Sequence, residues 1–144
     1  MAQISLIPIS KNRAQLQIFL NPKDRSPPSV QAFAVGFLEG AIDPETTWQS
    51  FSAGYIGALG SMDTPIPKKF VDFVNQNLGF MENEIAANKD SAYWIHVDIV
   101  LNQLRGLVRG YTEYMLEPTK VFYFTTAPLS SILSPLSSLL SSLL

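Results

Sequence analysis

The sequence predicts a mainly α-helical chain, with about four helices and one or two short strands. Apolar residues recur every three or four positions through most of residues 29–111, which is the pattern of amphipathic helices. Residues that typically begin or end helices flank these runs, among them Asp43 with Pro44, Gly60 and Pro67. Apolar and polar residues alternate near the start of the chain, which predicts one strand there, and a second short strand is conceivable near residues 121–128.

Composition narrows the classes of function. A chain of 144 residues allows one domain with a real core. Charged residues make up 15%, against the roughly 25% of an average globular domain. The net charge of −2 and the lack of a basic cluster argue against nucleic-acid binding. There is no cysteine, so this chain holds no disulfide, thiolate metal site or cysteine nucleophile.

Residues 1–25 are predicted to form an N-terminal strand and a loop. Alternation from Ala14 to Leu20 indicates the strand, and the turn-forming segment NPKDRSPPS follows it. The first ten residues have neither a basic start nor a long apolar centre, so they make a poor secretory signal. The expectation is that the chain begins in the cytosol or in the middle of a gene.

Two helices are predicted next, at the start of a helical part that covers residues 26–118. The first begins at Ser29, whose hydroxyl is expected to cap it. Gly36 and Gly40 lie one turn apart in this helix and weaken it, so a neighbouring backbone is expected to pack against them. Asp43 is predicted to cap a second helix that ends at about Leu59.

Two further helices follow, each with an apolar seam. The third opens at Pro67 as the longest clear helix and ends at Asn88 and Asp90; its seam is Phe70, Val74, Leu78, Met81 and Ile85. Asp90 is predicted to cap the fourth helix. The core face of that helix is predicted to be Trp94, Val97, Leu101, Leu104, Val108 and Tyr111.

Residues 119–144 differ in character from the rest. The segment VFYFTTAP is interpreted as a strand, and a low-complexity run of leucine and serine follows, whose heptad spacing allows a helix broken at Pro135. The uncharged run from Val121 is long enough to span a bilayer. Its serines, its proline and the lack of a basic or aromatic anchor argue against a span. Translated intron or frameshifted sequence is an equally weighted interpretation.

Candidate chemical groups are few. His96 lies on the flank that also carries Asp98, and as a catalytic base it would need a serine or threonine beside it, so a surface histidine is favoured. Glu82 and Glu84 are interpreted as solvated carboxylates rather than an acid/base pair. One histidine without cysteine makes a metal site improbable. No catalytic, cofactor-binding or metal-binding residue is therefore predicted, and no cofactor.

Three ordered segments, SVQAFAVGFLEGAI, NQNLGFMENEI and DSAYWIHVDIVLNQLRGLVRGY, resemble the phospholipase B-like family from Leu16 to Tyr114. The matching positions are Ala34, Gly36, Glu39, Gly40, Asn77, Met81, Tyr93, Trp94, Val97, Leu101, Gln103, Leu104, Gly106, Leu107 and Tyr111. Phe80 stands where the family tends to have tryptophan, and His96 falls at a variable position.

The resemblance implies a fragment of an α+β hydrolase. Family members resemble N-terminal-nucleophile hydrolases of lysosomal or secreted location, with two sheets between helical layers (αββα). Internal cleavage of their precursors exposes a cysteine that attacks an ester or amide carbonyl of a lipid. This chain would correspond to the helical portion before that cysteine, so no catalytic residue carries over.

The chain alone is therefore expected to be inactive. Its apolar seams would need a partner, either the remainder of a phospholipase B-like chain or a second copy in a homo-oligomer. The alternative is a non-enzymatic helical module that binds a protein partner or a membrane surface.

Overall fold

A computed structural model describes residues 3–10, 13–21, 23 and 25–126, and the chain is mainly helical, as predicted. Two strands come first, β1 (Gln3–Ser10) and β2 (Arg13–Phe19). Five helices follow: α1 (Pro28–Ile42), α2 (Pro44–Leu59), α3 (Lys68–Ala87), α4 (Ala92–Tyr114) and α5 (Pro118–Thr126). The leucine/serine run that begins at residue 129, with its predicted helix, lies outside the described residues.

The two strands form an antiparallel hairpin that the sequence analysis predicted only in part. Strand β2 lies where the alternation predicts a strand, whereas β1 falls in the first ten residues, for which the sequence predicts no separate strand. The register pairs Ile4 with Ile18 and Leu6 with Leu16.

The two ends of α2 match their predictions. Asp43 is the N-cap, and its Oδ1 accepts a hydrogen bond from the Thr46 backbone N–H at 3.0 Å. Gly60 ends the helix with φ +84°, in the left-handed region that glycine enters without steric cost. Local sequence therefore determines where this helix begins and ends.

Two predicted caps are wrong. Ser29 lies inside α1, whose N-cap is Pro27 and has no side-chain cap bond. Proline presets the backbone angle of the first turn, so α1 begins without a capping hydroxyl. The N-cap of α4 is Ser91 rather than Asp90, and it also makes no side-chain cap bond.

Helices α1 and α4 run parallel and touch backbone to backbone through four glycines. A methyl group on Gly36 would overlap the carbonyl oxygen of Gln103, and one on Gly40 would overlap that of Leu107. The contact is reciprocal, because Gly106 faces the Phe33 carbonyl and Gly110 the Phe37 carbonyl. The predicted approach of a neighbouring backbone to the glycines of α1 is thus confirmed, and that neighbour is α4.

The core consists of two clusters along α4. In the first cluster, Leu78 of α3 packs on Leu101. The second cluster joins α2, α4 and α5. It contains Val108, Tyr111 and Phe124, with Trp48, Phe51, Leu107 and Met115 around them. Two predicted seam residues, Phe70 and Leu104, are exposed instead. Helical spacing predicts the direction in which a side chain points from its helix. The side chain is buried only where a neighbouring element packs against that face.

The predicted strand VFYFTTAP is wrong, because its described residues belong to helix α5. Pro118 opens that helix, and Phe124 inserts into the second cluster. A short apolar run is compatible with either a strand or a buried helix, so periodicity alone does not decide between them. Helix α4, with 23 residues, also exceeds α3, with 20, as the longest helix.

Among the described residues, no helix combines the length and the apolarity that a bilayer crossing requires. Most of the uncharged run from Val121 lies beyond those residues, so the prediction that it does not span a bilayer stays a prediction.

Candidate functional site

A shallow groove opens where the start of α1, the end of α3 and the start of α4 meet. Its volume is about 270 Å³, at the small end of the range for ligand pockets. Its lining consists of Pro28, Ser29, Ile85, Asn88, Lys89, Trp94, Ile95, Asp98 and Ile99. The isoleucines and Trp94 make it largely apolar, with Lys89 and Asp98 as its charged groups. It can hold a small apolar group.

His96 does not belong to this groove. It is exposed on α4, and its Nδ1 lies 2.7 Å from the carbonyl oxygen of Ala92 on the same helix. That contact uses one ring nitrogen for the local backbone. The histidine therefore sits as a surface residue, which is the interpretation that the sequence favoured.

Glu82 and Glu84 have separate structural partners. Glu82 pairs with Arg105 of α4 across the α3–α4 contact. Glu84 accepts a hydrogen bond from the side chain of Asn88 at the end of its own helix. Since residues two apart in a helix point about 200° from each other, the two carboxylates do not converge on a common point. They cannot act as an acid/base pair in this arrangement.

Glu39 and Gln103 meet between α1 and α4. Nε2 of Gln103 donates to Oε2 of Glu39 at 3.4 Å, next to the glycine contacts. Both positions carry the family resemblance, but nothing in the sequence pairs them, because they lie 64 residues apart. The contact is a polar link between two close helices.

A charged cluster around α5 was missed by the sequence analysis. Nζ of Lys120 lies 2.7 Å from Glu45 Oε2 and 2.9 Å from Glu117 Oε1. Hydrogen bonds to Glu45 and then to Glu117 raise the pKa of Lys120. The carboxylates thereby favour the charged ammonium. Lys120 lies just before the segment for which a strand is predicted, and nothing in the local sequence pairs it with Glu45, which is 75 residues away.

Tyr111 lies fully buried beside that cluster. Its hydroxyl has no hydrogen-bond partner among the residues that the structure describes. Desolvation raises the pKa of Tyr111 to about 12, although the positive charge of Lys120 acts in the opposite direction. A phenol with so high a pKa remains protonated at neutral pH and is not a general base.

Metal ligation finds no support in the described part of the chain. Histidine, aspartate and glutamate side chains do not come together there in groups of three or more that could hold an ion.

Comparison with known proteins finds one family throughout. A model of the Phospholipase B family matches residues 13–135, a range that extends beyond the predicted resemblance to include α5. Three proteins of Dictyostelium discoideum are similar to the chain. Phospholipase B-like protein B is 31% identical over 96 residues, protein C 30% over 105 and protein D 32% over 90.

These alignments cover most of this chain but a small part of each relative. They include 67%, 73% and 62% of the chain, and 16%, 18% and 16% of proteins B, C and D. The chain therefore spans less than a fifth of the length of these relatives. The matched range contains β2 and all five helices, with both core clusters and the glycine contacts. On this match, the chain belongs to the Phospholipase B family.

Proposed function

We propose that this chain forms the helical part of a phospholipase B-like hydrolase that, at full family length, cleaves ester or amide bonds of lipids. The observation that carries the proposal is the family match over residues 13–135. The small share of each relative that the chain covers supports a role as one part of a larger catalytic body.

The chain by itself is proposed to lack hydrolytic activity. Its sequence contains no cysteine, and the described residues bring no hydroxyl nucleophile together with His96. Nucleophilic hydrolysis needs a nucleophile and a base within hydrogen-bonding reach of each other. In this proposal the reacting cysteine belongs to the longer family polypeptide, and the helices support it from outside the reaction centre.

The proposal extends to fold and location. The helices would form one layer of the αββα sandwich of an N-terminal-nucleophile hydrolase, and the mature protein would be lysosomal or extracellular. A tagged full-length product tests the location by fractionation. Cytosolic recovery alone would contradict the compartment and leave the hydrolase proposal standing.

The decisive assay is hydrolysis of a lysophospholipid and of an N-acyl amide. The polypeptide of full family length that contains this segment is expected to release fatty acid from at least one of them. Its cysteine-to-alanine variant at the processed N-terminus and residues 1–144 alone should both be inactive. Equal release by the alanine variant would overturn the proposal.

A second candidate is a non-enzymatic helical module that binds a protein partner or a membrane surface. Large apolar side chains exposed on α3 and α4, including Phe73, Tyr93 and Val100, favour it. Vesicles of phosphatidylcholine with phosphatidylserine test the membrane form by flotation. Binding by residues 1–144, together with no hydrolysis by the longer polypeptide, would favour the module over the hydrolase.

A further inference from the structure

Helix α3 carries a second apolar stripe besides the seam that packs on α4. Phe73 and Phe80 are 63% and 55% exposed. Seven residues separate them, so they point in directions only about 20° apart. Each is displaced by about 100° from its seam neighbour, Val74 or Met81. The stripe is therefore a face of its own, and both of its phenylalanines remain more than half exposed in the described part of the chain.

One end of this stripe is held rigidly. The Phe80 ring meets Trp94 of α4 in a T-shaped contact, with ring centroids 5.9 Å apart. Trp94 in turn contacts Tyr93 at 4.9 Å. Because its side chain is fixed by a neighbouring helix, Phe80 presents a preformed surface, which lowers the entropy cost of docking.

The order of residues along the stripe is nearly palindromic. Lys69 lies four residues before Phe73, and Glu84 lies four residues after Phe80. The midpoint falls between Gln76 and Asn77, which are uncharged. Along about 22 Å of helix, the stripe thus presents a cation, a phenylalanine, an uncharged centre, a second phenylalanine and an anion, in that order.

A two-fold axis through that midpoint would match the stripe to itself. An antiparallel second α3 would bring Phe73 against the partner's Phe80, and Lys69 against the partner's Glu84, each contact occurring twice. Such reciprocity is what a two-fold interface requires. Glu84 is available for it, since its one side-chain hydrogen bond, from Asn88, leaves acceptor capacity on the carboxylate.

We propose that a second copy of this chain docks on α3, antiparallel, through the stripe that runs from Lys69 to Glu84. The charges favour this occupant over a lipid surface, which attracts a helix with basic residues along its polar face. Here one cation and one anion stand at opposite ends, so parallel pairing would place like charges together. The inference does not depend on the proposed hydrolase activity.

Sedimentation velocity of residues 1–144 over a range of concentrations tests the proposal. We expect a reversible dimer, which the double substitution Phe73→Gln and Phe80→Gln converts to a monomer. The matched control is Val100→Gln on α4, because Val100 is 55% exposed, like Phe80, but lies off the stripe. A wild-type monomer at every concentration would overturn the proposal, as would equal loss of dimer in the control.

Charge reversal tests the antiparallel order. Lys69→Glu and Glu84→Lys should each weaken the dimer at least several-fold, and the two together should restore it, because the pair is re-formed with its signs exchanged. Circular dichroism checks that each variant remains helical. Failure of the double variant to recover, with helicity intact, would rule out the Lys69–Glu84 contact.

Crosslinking tests the position of the axis, since the chain has no cysteine of its own. An Asn77→Cys variant should oxidise to a covalent dimer, because the midpoint of one α3 meets that of the other. Asn83→Cys on the same helix should not, since its two copies would lie about 20 Å apart and a disulfide needs Cα atoms within about 7 Å. Equal crosslinking of both variants would contradict the register.

Discussion

Tyr111 is the buried residue at which packing and polarity conflict. Its ring is in contact with that of Phe124, with centroids 4.1 Å apart and planes tilted by 32°. Its hydroxyl, however, is buried and has no partner among the described residues. A buried polar group that makes no hydrogen bond costs about 1–3 kcal/mol. The ring therefore stabilises the fold while the hydroxyl opposes it.

Removal of that hydroxyl should stabilise the protein. We expect Tyr111→Phe to raise the free energy of unfolding at pH 7 by about 1 kcal/mol, because the ring contacts remain and the desolvated group is gone. Urea unfolding measures the change. The control is Tyr114→Phe, whose ring is half exposed and which should be close to neutral. Destabilisation by Tyr111→Phe would show that the hydroxyl has a bonded partner.

The same residue predicts a loss of stability at alkaline pH. The pKa of Tyr111 is about 12 in the folded state, against an ordinary value of 10.0, so the folded state holds this proton more tightly. The stability that comes from this tighter proton binding is fully present below pH 10 and is lost as the pH rises from 10 towards 12. Urea unfolding at pH 8, 10 and 11 should show a smaller decline for Tyr111→Phe than for wild type. An equal decline would assign the effect to other groups.

At the scale of elements, the pair of α1 and α4 is the closest contact in the described chain. Glycines on both helices let each backbone approach the other's carbonyl groups, which no larger residue permits. Glycine in a helix costs about 1 kcal/mol relative to alanine. Glycine therefore lowers helix stability at four positions, and the close packing of the two backbones along two turns offsets that loss.

Two glycine-to-alanine substitutions should therefore have opposite signs. Gly106→Ala places a methyl group against the Phe33 carbonyl, so we expect a loss of at least about 2 kcal/mol despite the gain in helix propensity. Gly79→Ala in α3 meets no atom within 4 Å and should stabilise by about 0.5–1 kcal/mol. Thermal and urea unfolding measure both. A stabilising Gly106→Ala would mean that the helices lie further apart than described.

At the scale of the whole molecule, α5 closes one end of the helical body. Phe124 enters the cluster of α2 and α4, Lys120 reaches Glu45 of α2, and Tyr123 donates to Asp63 in the turn before α3 at 3.1 Å. The polar contacts are partly exposed and each contributes little by itself. Burial of Phe124 is thus the main attachment of α5.

Two phenylalanines of α5 make a matched test of this attachment. Phe124 is 3% exposed, so Phe124→Ala should cost about 3–5 kcal/mol through lost burial and the cavity left behind. Phe122, two residues earlier, is 62% exposed, and Phe122→Ala should cost about 0.5 kcal/mol or less. Near-ultraviolet circular dichroism and urea unfolding report both. Equal effects would mean that α5 is not docked through Phe124.

Local sequence by itself determined the helices α1 to α4, strand β2 and both ends of α2. Apolar spacing and the Asp43 cap act within a few residues, so no distant contact is needed to predict them. The expectation that this chain holds no catalytic residue rests on composition, since there is one histidine and no cysteine, and it stays a prediction. The family resemblance needed only the order of three short segments.

Only the tertiary structure decided which faces are buried and how the segment after Pro118 folds. Gly36 and Gly106 are neighbours because two helices pack in parallel, and Phe70 and Leu104 are exposed because none of the described elements covers them. The short apolar run in α5 is compatible with a strand as well as a helix. The packing of Phe124 in the second cluster favours the helix. Burial depends on contacts between segments far apart in sequence, and periodicity within one segment carries no information about them.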